Sequence, residues 1–230
     1  MVAQLSIIIP TLNEALDIET RLSALAPLRQ NGVQIIVADG GSNDATVARA
    51  APYVDLIIDA PRGRAVQMNA GALHATAPYL LFLHVDTVLP DGAAAVIDHA
   101  LQIHAWGRFD ITLTGTHPML RVIAAMMNWR SRITGIATGD QAIFVQRAMF
   151  ERLHGFAPIA LMEDIELCRR LKKISAPACL KQRVVSSGRR WQQHGIWRTI
   201  WLMWRLRLAY CFGADPHELA VRYGYLPPSA

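Results

Sequence analysis

Four short apolar runs constrain this chain more than any other feature. They occupy residues 5–9 (Leu-Ser-Ile-Ile-Ile), 33–38, 54–58 and 79–84. Each is too short for a typical helix and rich in branched side chains that pack well on a pleated surface. Between them lie stretches with helical periodicity: 15–29, carrying Leu16, Ile18, Leu22, Leu25 and Leu28, then 44–51 and 64–75. Strands that are apolar throughout must be covered on both faces. Their alternation with helices therefore predicts an α/β fold, a mostly parallel central sheet flanked by helices.

Such sheets bind ligands beyond the carboxyl ends of their strands, and the polar residues fall there. Thr11-Leu12-Asn13-Glu14 follows the first run, Asp39-Gly40-Gly41-Ser42-Asn43-Asp44 the second, and Val85-Asp86-Thr87 the fourth. Three carboxylates, Glu14, Asp39 and Asp86, are thus expected along one sheet edge. Each motif also has a structural reading. Thr11 and Glu14 fit a capping box. Ser42 or Asn43 fits a helix N-cap in a tight βα turn, and Asp86 fits a turn former. His84 fits a core or supporting residue. The chain has neither GxGxxG nor GxxxxGK[ST], so the usual dinucleotide and P-loop modes lose support.

The second half is less regular. Residues 118–133 and 193–212 read as helices, 142–145 and 183–185 as strands, and Pro227-Pro228 closes the chain. Glu163-Asp164 opens a helical stretch, where acids suit the helix dipole. Side chains adjacent on a helix diverge by about 100°, so these two carboxylates cannot share one task. Arg62-Gly63-Arg64 puts two cations before a helix, which the dipole disfavours and a phosphate would favour.

Hydrophobic residues make up 52% of the chain and charged residues 18%, which excludes a disordered polypeptide. Cys168, Cys179 and Cys211 are scattered, so neither a zinc site nor a disulfide framework is expected, and a reducing compartment is the simplest setting. No signal peptide is expected at the N-terminus, and no run of charge-free residues is long enough to span a bilayer. The net charge of +5 is unevenly placed, with no acid between Glu166 and Asp215. That stretch implies an anionic partner such as a phosphate, a nucleotide or an acidic membrane surface; a solvated basic face is the plainer alternative. Within it, Trp197, Trp201, Trp204 and Leu208 form one helical stripe beside Arg198 and Arg205. Core packing is the first reading of that stripe, and an in-plane helix on an anionic bilayer the second.

Taken in order and spacing, these motifs resemble family 2 glycosyltransferases of the GT-A fold. The matching pieces are Ile9-Pro10-Thr11-Leu12-Asn13-Glu14, Asp39–Asp44, Arg64–Gly71, His84-Val85-Asp86 and Glu163-Asp164. The ordered set carries the resemblance, over roughly residues 4–191. Gly139-Asp140-Gln141 and Arg189-Arg190-Trp191 further resemble a small bacterial subgroup, often found beside radical-SAM/selenoprotein-type genes. The resemblance implies a Rossmann-like nucleotide-binding half (1–110), an acceptor-side half (111–190) and C-terminal helices (191–230), all within one domain. It implies donor contacts from Pro10, Thr11, Asn13, Glu14, Asp39, Gly40, Ser42, Arg64, Asn69, His84, Val85 and Asp86. Asp39 would meet the base, usually uracil, and Asp86 would hold Mg²⁺ or Mn²⁺ on the diphosphate. Asp164 would be the catalytic base. Gly139, Asp140, Gln141, Glu163, Arg190 and Trp191 would lie toward the acceptor or donor sugar.

Two departures stand out. The metal motif of the family reads Asp-x-Asp, and His84 takes its first place. The Gln of the processive Gln-x-x-Arg-Trp motif is Ser187 here, which argues against polymer synthesis. The expected activity is inverting transfer from a nucleotide sugar, UDP-linked, to a hydroxyl acceptor, in the cytoplasm, with the inner membrane face as an optional setting. No nucleic acid partner is expected. The alternatives are a sugar-phosphate nucleotidyltransferase, which needs a Gly-rich basic loop after the first strand, and a non-catalytic nucleotide-sugar-binding module.

Overall fold

A computed structural model describes residues 4–225; the closing Pro227-Pro228 lies outside the described residues. The strands are β1 (Leu5–Thr11), β2 (Gln34–Asp39), β3 (Leu56–Asp59), β4 (Tyr79–Phe82), β5 (Trp106–Thr114), β6 (Phe144–Gln146) and β7 (Ala178–Ser187). The helices of the first half are α1 (Ile18–Ser23), α2 (Ala26–Gln30), α3 (Thr46–Ala50), α4 (Arg64–Leu73) and α5 (Ala93–Leu101). Those of the second are α6 (Met119–Thr134), α7 (Arg147–Arg152), α8 (Glu163–Leu171), α9 (Arg189–His194), α10 (Ile196–Cys211) and α11 (Pro216–Arg222).

The strands form one sheet in the order β3-β2-β1-β4-β6-β5-β7. Neighbours among β1 to β4 run parallel, as do β5 and β7, while β6 is antiparallel to both β4 and β5. Alternate residues of β1 and β2 enter opposite cores. Ile7, Ile9, Ile35 and Val37 join the cluster on one face, and Ile8 and Ile36 the cluster on the other. This is why those strands read as unbroken apolar runs. The chain leaves β1 toward β2 on one side, and β4 lies on the other. The sheet therefore reverses its winding between β1 and β4, and a crevice opens past their carboxyl ends.

The helical stretch expected over 15–29 is two helices, because Pro27 lies at the first turn of α2 and cannot continue α1. The stretch expected over 193–212 divides at Gly195, whose φ of 82° ends α9. Strand β5 escaped the sequence reading because Arg108 and Asp110 interrupt its apolar pattern. Both are nonetheless buried, joined to each other and, through Asp110 Oδ2, to Arg132 at 2.6 Å. Around them Asn128 bonds the backbone N–H and C=O of Ile111, and Gln141 donates to Ser131 Oγ at 3.1 Å. This buried polar network fixes the short 3₁₀ turn Gly139–Gln141 against the sheet.

The tryptophan stripe does not pack in the core. Trp197, Trp201 and Trp204 are 62% to 71% exposed. The opposite face of α10 supplies Ile196, Thr199 and Leu206 to the interior. Leu206 joins Leu161, Met162 and Ile165 around α8 and Leu219 of α11 in a third apolar cluster.

Candidate functional site

The loops after β1 and β2 are locked together. Asn13 N–H donates to Ser42 Oγ at 2.8 Å, and Asn43 N–H donates to Asn13 Oδ1 at 3.0 Å. Glu14 N–H donates to Thr46 Oγ1 at 2.7 Å. Asp39 sits beneath, taking the N–H groups of Gly41 and Ser42 on Oδ2 and the hydroxyls of Ser42 and Thr11 on Oδ1. Pro10 is buried opposite Ala38 in the β1–β2 ladder. A Cβ on Gly40 would approach Gln67 to 2.9 Å, and Gln67 Nε2 donates to the carbonyls of both Thr11 and Ala38. Asp39 and Gly40 therefore build the turn, and a ligand there meets a preformed wall.

Two capping expectations are corrected. Thr11 is a buried strand residue and α1 begins only at Ile18, so no capping box forms with Glu14. Neither Ser42 nor Asn43 caps α3. Asp44 Oδ1 accepts from Thr46 N–H instead, at 2.9 Å. Glu14 is thereby released toward the crevice. It lines a small recess with Asp17, Arg21, Val85, Asp86, Ser187 and Arg189. Burial raises its pKa, Arg189 counters this and Asp86 reinforces it. Burial also raises Asp86, against the pull of His84 and with a push from Asp140.

Beside this recess lies an open cleft of about 510 Å³, lined by residues including Arg64, His84, Gly139, Asp140, Glu163, Asp164, Met203, Arg207 and Tyr223. Glu163 is buried and pairs with Arg64 at 3.3 Å. The cationic start of α4 is thus matched by a carboxylate across the cleft. Asp164, one residue on, points elsewhere. Its Oδ2 accepts from Gly139 N–H at 2.9 Å and its Oδ1 from Ile165 N–H at 2.7 Å. Burial, with the charge of Glu163, outweighs those bonds and Arg64, and its pKa is pushed up to about 6.

His84 Nδ1 and Asp140 Oδ1 lie 3.0 Å apart. Burial opposes a charged imidazole, yet the bond and charge of Asp140 hold the His84 pKa above its ordinary value. For Asp140 the burial cost is likewise exceeded by His84, and its pKa is lowered. The other ring nitrogen is also confined: a Cβ on Gly139 would stand 2.5 Å from His84 Nε2. His84 is therefore engaged through Nδ1 by Asp140, with its other ring nitrogen toward Gly139. Among the described residues no three His, Cys, Asp or Glu side chains gather as a metal cage. Asp86 is a hard oxygen ligand after β4, in a recess that Glu14 and Asp17 also line. That donor set fits Mg²⁺ or Mn²⁺ arriving with diphosphate oxygens and water, and does not fit an ion held by protein alone.

Three expected site residues are used structurally. Asn69 braces Phe156, donating to its carbonyl at 2.8 Å and accepting from its N–H at 2.9 Å. Gln141 is fully buried in the network under the 3₁₀ turn and cannot touch an acceptor. Trp191 packs on the first core cluster. Arg190 stacks over Tyr223, 3.6 Å from the ring centroid, and donates to its carbonyl at 2.6 Å. It holds Tyr223 at the cleft. Sequence reasoning missed Tyr223, Met203, Arg207, Asp17 and Arg21. Only Arg21 carried a signal, as a cation one helical turn beyond Asp17.

The family model described as "Glycosyl transferase family 2" matches residues 6–144. No curated protein matches the chain in sequence. Among solved structures, mannosyltransferase PcManGT from Pyrobaculum calidifontis, in complex with GDP-Man and Mn²⁺, is similar at TM-score 0.63 and 19% identity, over 99% of this chain and 67% of that one. TarS 1–349 from S. aureus, in complex with UDP-GlcNAc, is similar at TM-score 0.65 and 17% identity, over 80% of this chain and 58% of that one. Glucosyl-3-phosphoglycerate synthase from Mycobacterium tuberculosis, in complex with Mn²⁺, UDP and phosphoglyceric acid, gives 0.53 and 16%, over 79% and 68%. At these identities the likeness is one of fold, and that fold is GT-A.

Proposed function

Because this chain belongs to glycosyl transferase family 2, we propose that it transfers a sugar, with inversion, from a nucleoside diphosphate sugar to an acceptor hydroxyl. UDP is the nucleotide of the reading, and the neighbours solved with UDP-GlcNAc and with UDP support it. One observation carries the reading. Asp164, with a carboxyl near pKa 6, opens into the same cleft as His84, two residues before Asp86 at the switch point of the sheet.

In this account the nucleoside lies against the locked loops of Thr11, Asn13, Glu14, Asp39 and Ser42. The diphosphate lies in the recess between Asp86, Arg21 and Arg189. Asp86 would hold a divalent cation on the diphosphate, and such an ion would supply positive charge to offset that of the leaving group. Asp164 takes the proton of the acceptor hydroxyl, whose oxygen attacks the anomeric carbon as the bond to the diphosphate breaks. Gly139 N–H orients that carboxylate, and the Glu163–Arg64 pair shapes the floor beside it. We assign the half 1–110 to the donor and 111–190 to the acceptor, and the described C-terminal helices α9 to α11 to the outer wall. The transfer takes place in the cytoplasm.

A thermal-shift panel of UDP-, GDP- and dTDP-sugars, with and without Mn²⁺, tests the reading. A ligand that binds only the native state raises the melting temperature. The reading expects a Mn²⁺-dependent rise with a UDP-sugar, and a panel without any rise counts against it.

A further inference from the structure

We propose that helices α6 and α10 together form a docking platform for an anionic bilayer, an attachment the reaction itself does not require. The exposed tryptophans of α10 are matched by a second stripe on α6: Val122, Met126, Trp129 and Ile133, all at least half exposed. Both stripes follow the spacing i, i+4, i+7, i+11, which confines each to about 60° of its helix. The two helices rest on common ground. Leu120, Ile123 and Ala124 of α6 and Ile196 of α10 belong to one buried cluster, with Met127 and Ile200 packed against it. At the other end Ile136, just past α6, meets the cluster that holds Leu206 of α10. The stripes are the outward faces of two helices seated on the same core.

Charge identifies the occupant. No acid stands between Asp110 and Asp140, or between Glu166 and Asp215. Arg121, Arg198 and Arg205 are exposed beside the stripes, and the Arg205 guanidinium lies over the Trp201 ring, 4.4 Å from its centroid. A second copy of the chain, docked symmetrically, would set arginine against arginine with no carboxylate to answer. An anionic lipid face answers the arginines, and its interfacial zone takes up tryptophan and aliphatic side chains. Among the described residues no helix is long and apolar enough to cross a membrane, so the contact lies in the bilayer plane. The inner side of α10 places Met203 and Arg207 on the cleft wall. One helix therefore touches both the bilayer and the site, and an acceptor carried on a lipid would be presented at the cleft mouth.

Flotation of the full chain with phosphatidylcholine vesicles, with and without phosphatidylglycerol, at low and high salt, decides the matter. We expect flotation only with phosphatidylglycerol, a blue shift of tryptophan emission on binding, and a loss of about tenfold or more at high salt. The pairs W201E/W204E and M126E/W129E should each lower binding about tenfold or more, with unchanged circular dichroism and unchanged nucleotide-sugar binding. L73E, an exposed apolar residue on α4, should float like the wild type. No flotation at low salt, equal flotation with neutral vesicles, or undiminished flotation of both paired variants overturns the proposal. So does a concentration-dependent dimer that the same substitutions dissolve. None of these outcomes bears on nucleotide-sugar binding, so failure here and failure of the proposed reaction are distinguishable.

Discussion

Asp164 has a backbone N–H from Gly139 to aim it and enough burial to keep its pKa near 6. Substitution by Asn keeps the shape and removes the basicity. We expect Asp164→Asn to bind donor normally and turn over roughly 10²–10⁴-fold more slowly, measured by steady-state kinetics beside calorimetry. In the wild type, kcat/KM should climb between pH 5 and 7 with an apparent pKa about 6, because the deprotonated carboxylate is the active form. Stability follows the opposite sign. A carboxyl raised above its unfolded pKa favours the fold at low pH, and that contribution is lost as pH rises through about 6. Asp164→Asn should therefore melt higher than the wild type at pH 8, with the difference shrinking as pH falls and closing below about pH 4. Asp86 makes a separate prediction. Calorimetry should show Mn²⁺ binding weakly alone and strongly with UDP, with the Mn²⁺-dependent part abolished in Asp86→Ala and retained in His84→Ala. Asp86 and Asp164 could be singled out in the sequence because one follows a strand and the other opens a helix, within the ordered motifs. The fates of Asn69 and Gln141 were not visible. Their partners, Phe156 and Ser131, are 87 and 10 residues away, and only the fold brings them together.

Strand β5 and helix α6 form the buried support of the Gly139–Gln141 turn. Arg108 is fully buried and depends on Asp110, which also holds Arg132. Removing one partner of a buried ion pair leaves an uncompensated charge. Asp110→Ala should cost about 3–5 kcal/mol, measured by urea unfolding, and should loosen the Gly139–Gln141 turn that aims Asp164. The strands of the parallel half were legible because both faces are apolar. β5 was not, since its interior carries a guanidinium and a carboxylate that pattern reasoning assigns to solvent. The same limit applied to α10, where four apolar residues on one stripe read most simply as core. Helical spacing fixes which residues share a face, and the neighbours decide whether that face is covered.

The molecule as a whole places two recesses side by side at the reversal point of one sheet, the ones proposed here to take donor and acceptor. The C-terminal helices wall the cleft with Met203, Arg207 and Tyr223. The donor half was readable because its motifs follow consecutive strands. The wall was not, because it comes from helices whose contacts with α8 span the chain. The central claim is sugar transfer with release of a nucleoside diphosphate. It is tested most directly by ³¹P NMR of the protein with a UDP-sugar, Mn²⁺ and a membrane extract as acceptor source. The account predicts UDP as the phosphorus product, formed by the wild type and roughly 10²–10⁴-fold more slowly by Asp164→Asn. Pyrophosphate as the product, or UDP formed equally fast by Asp164→Asn, would contradict it.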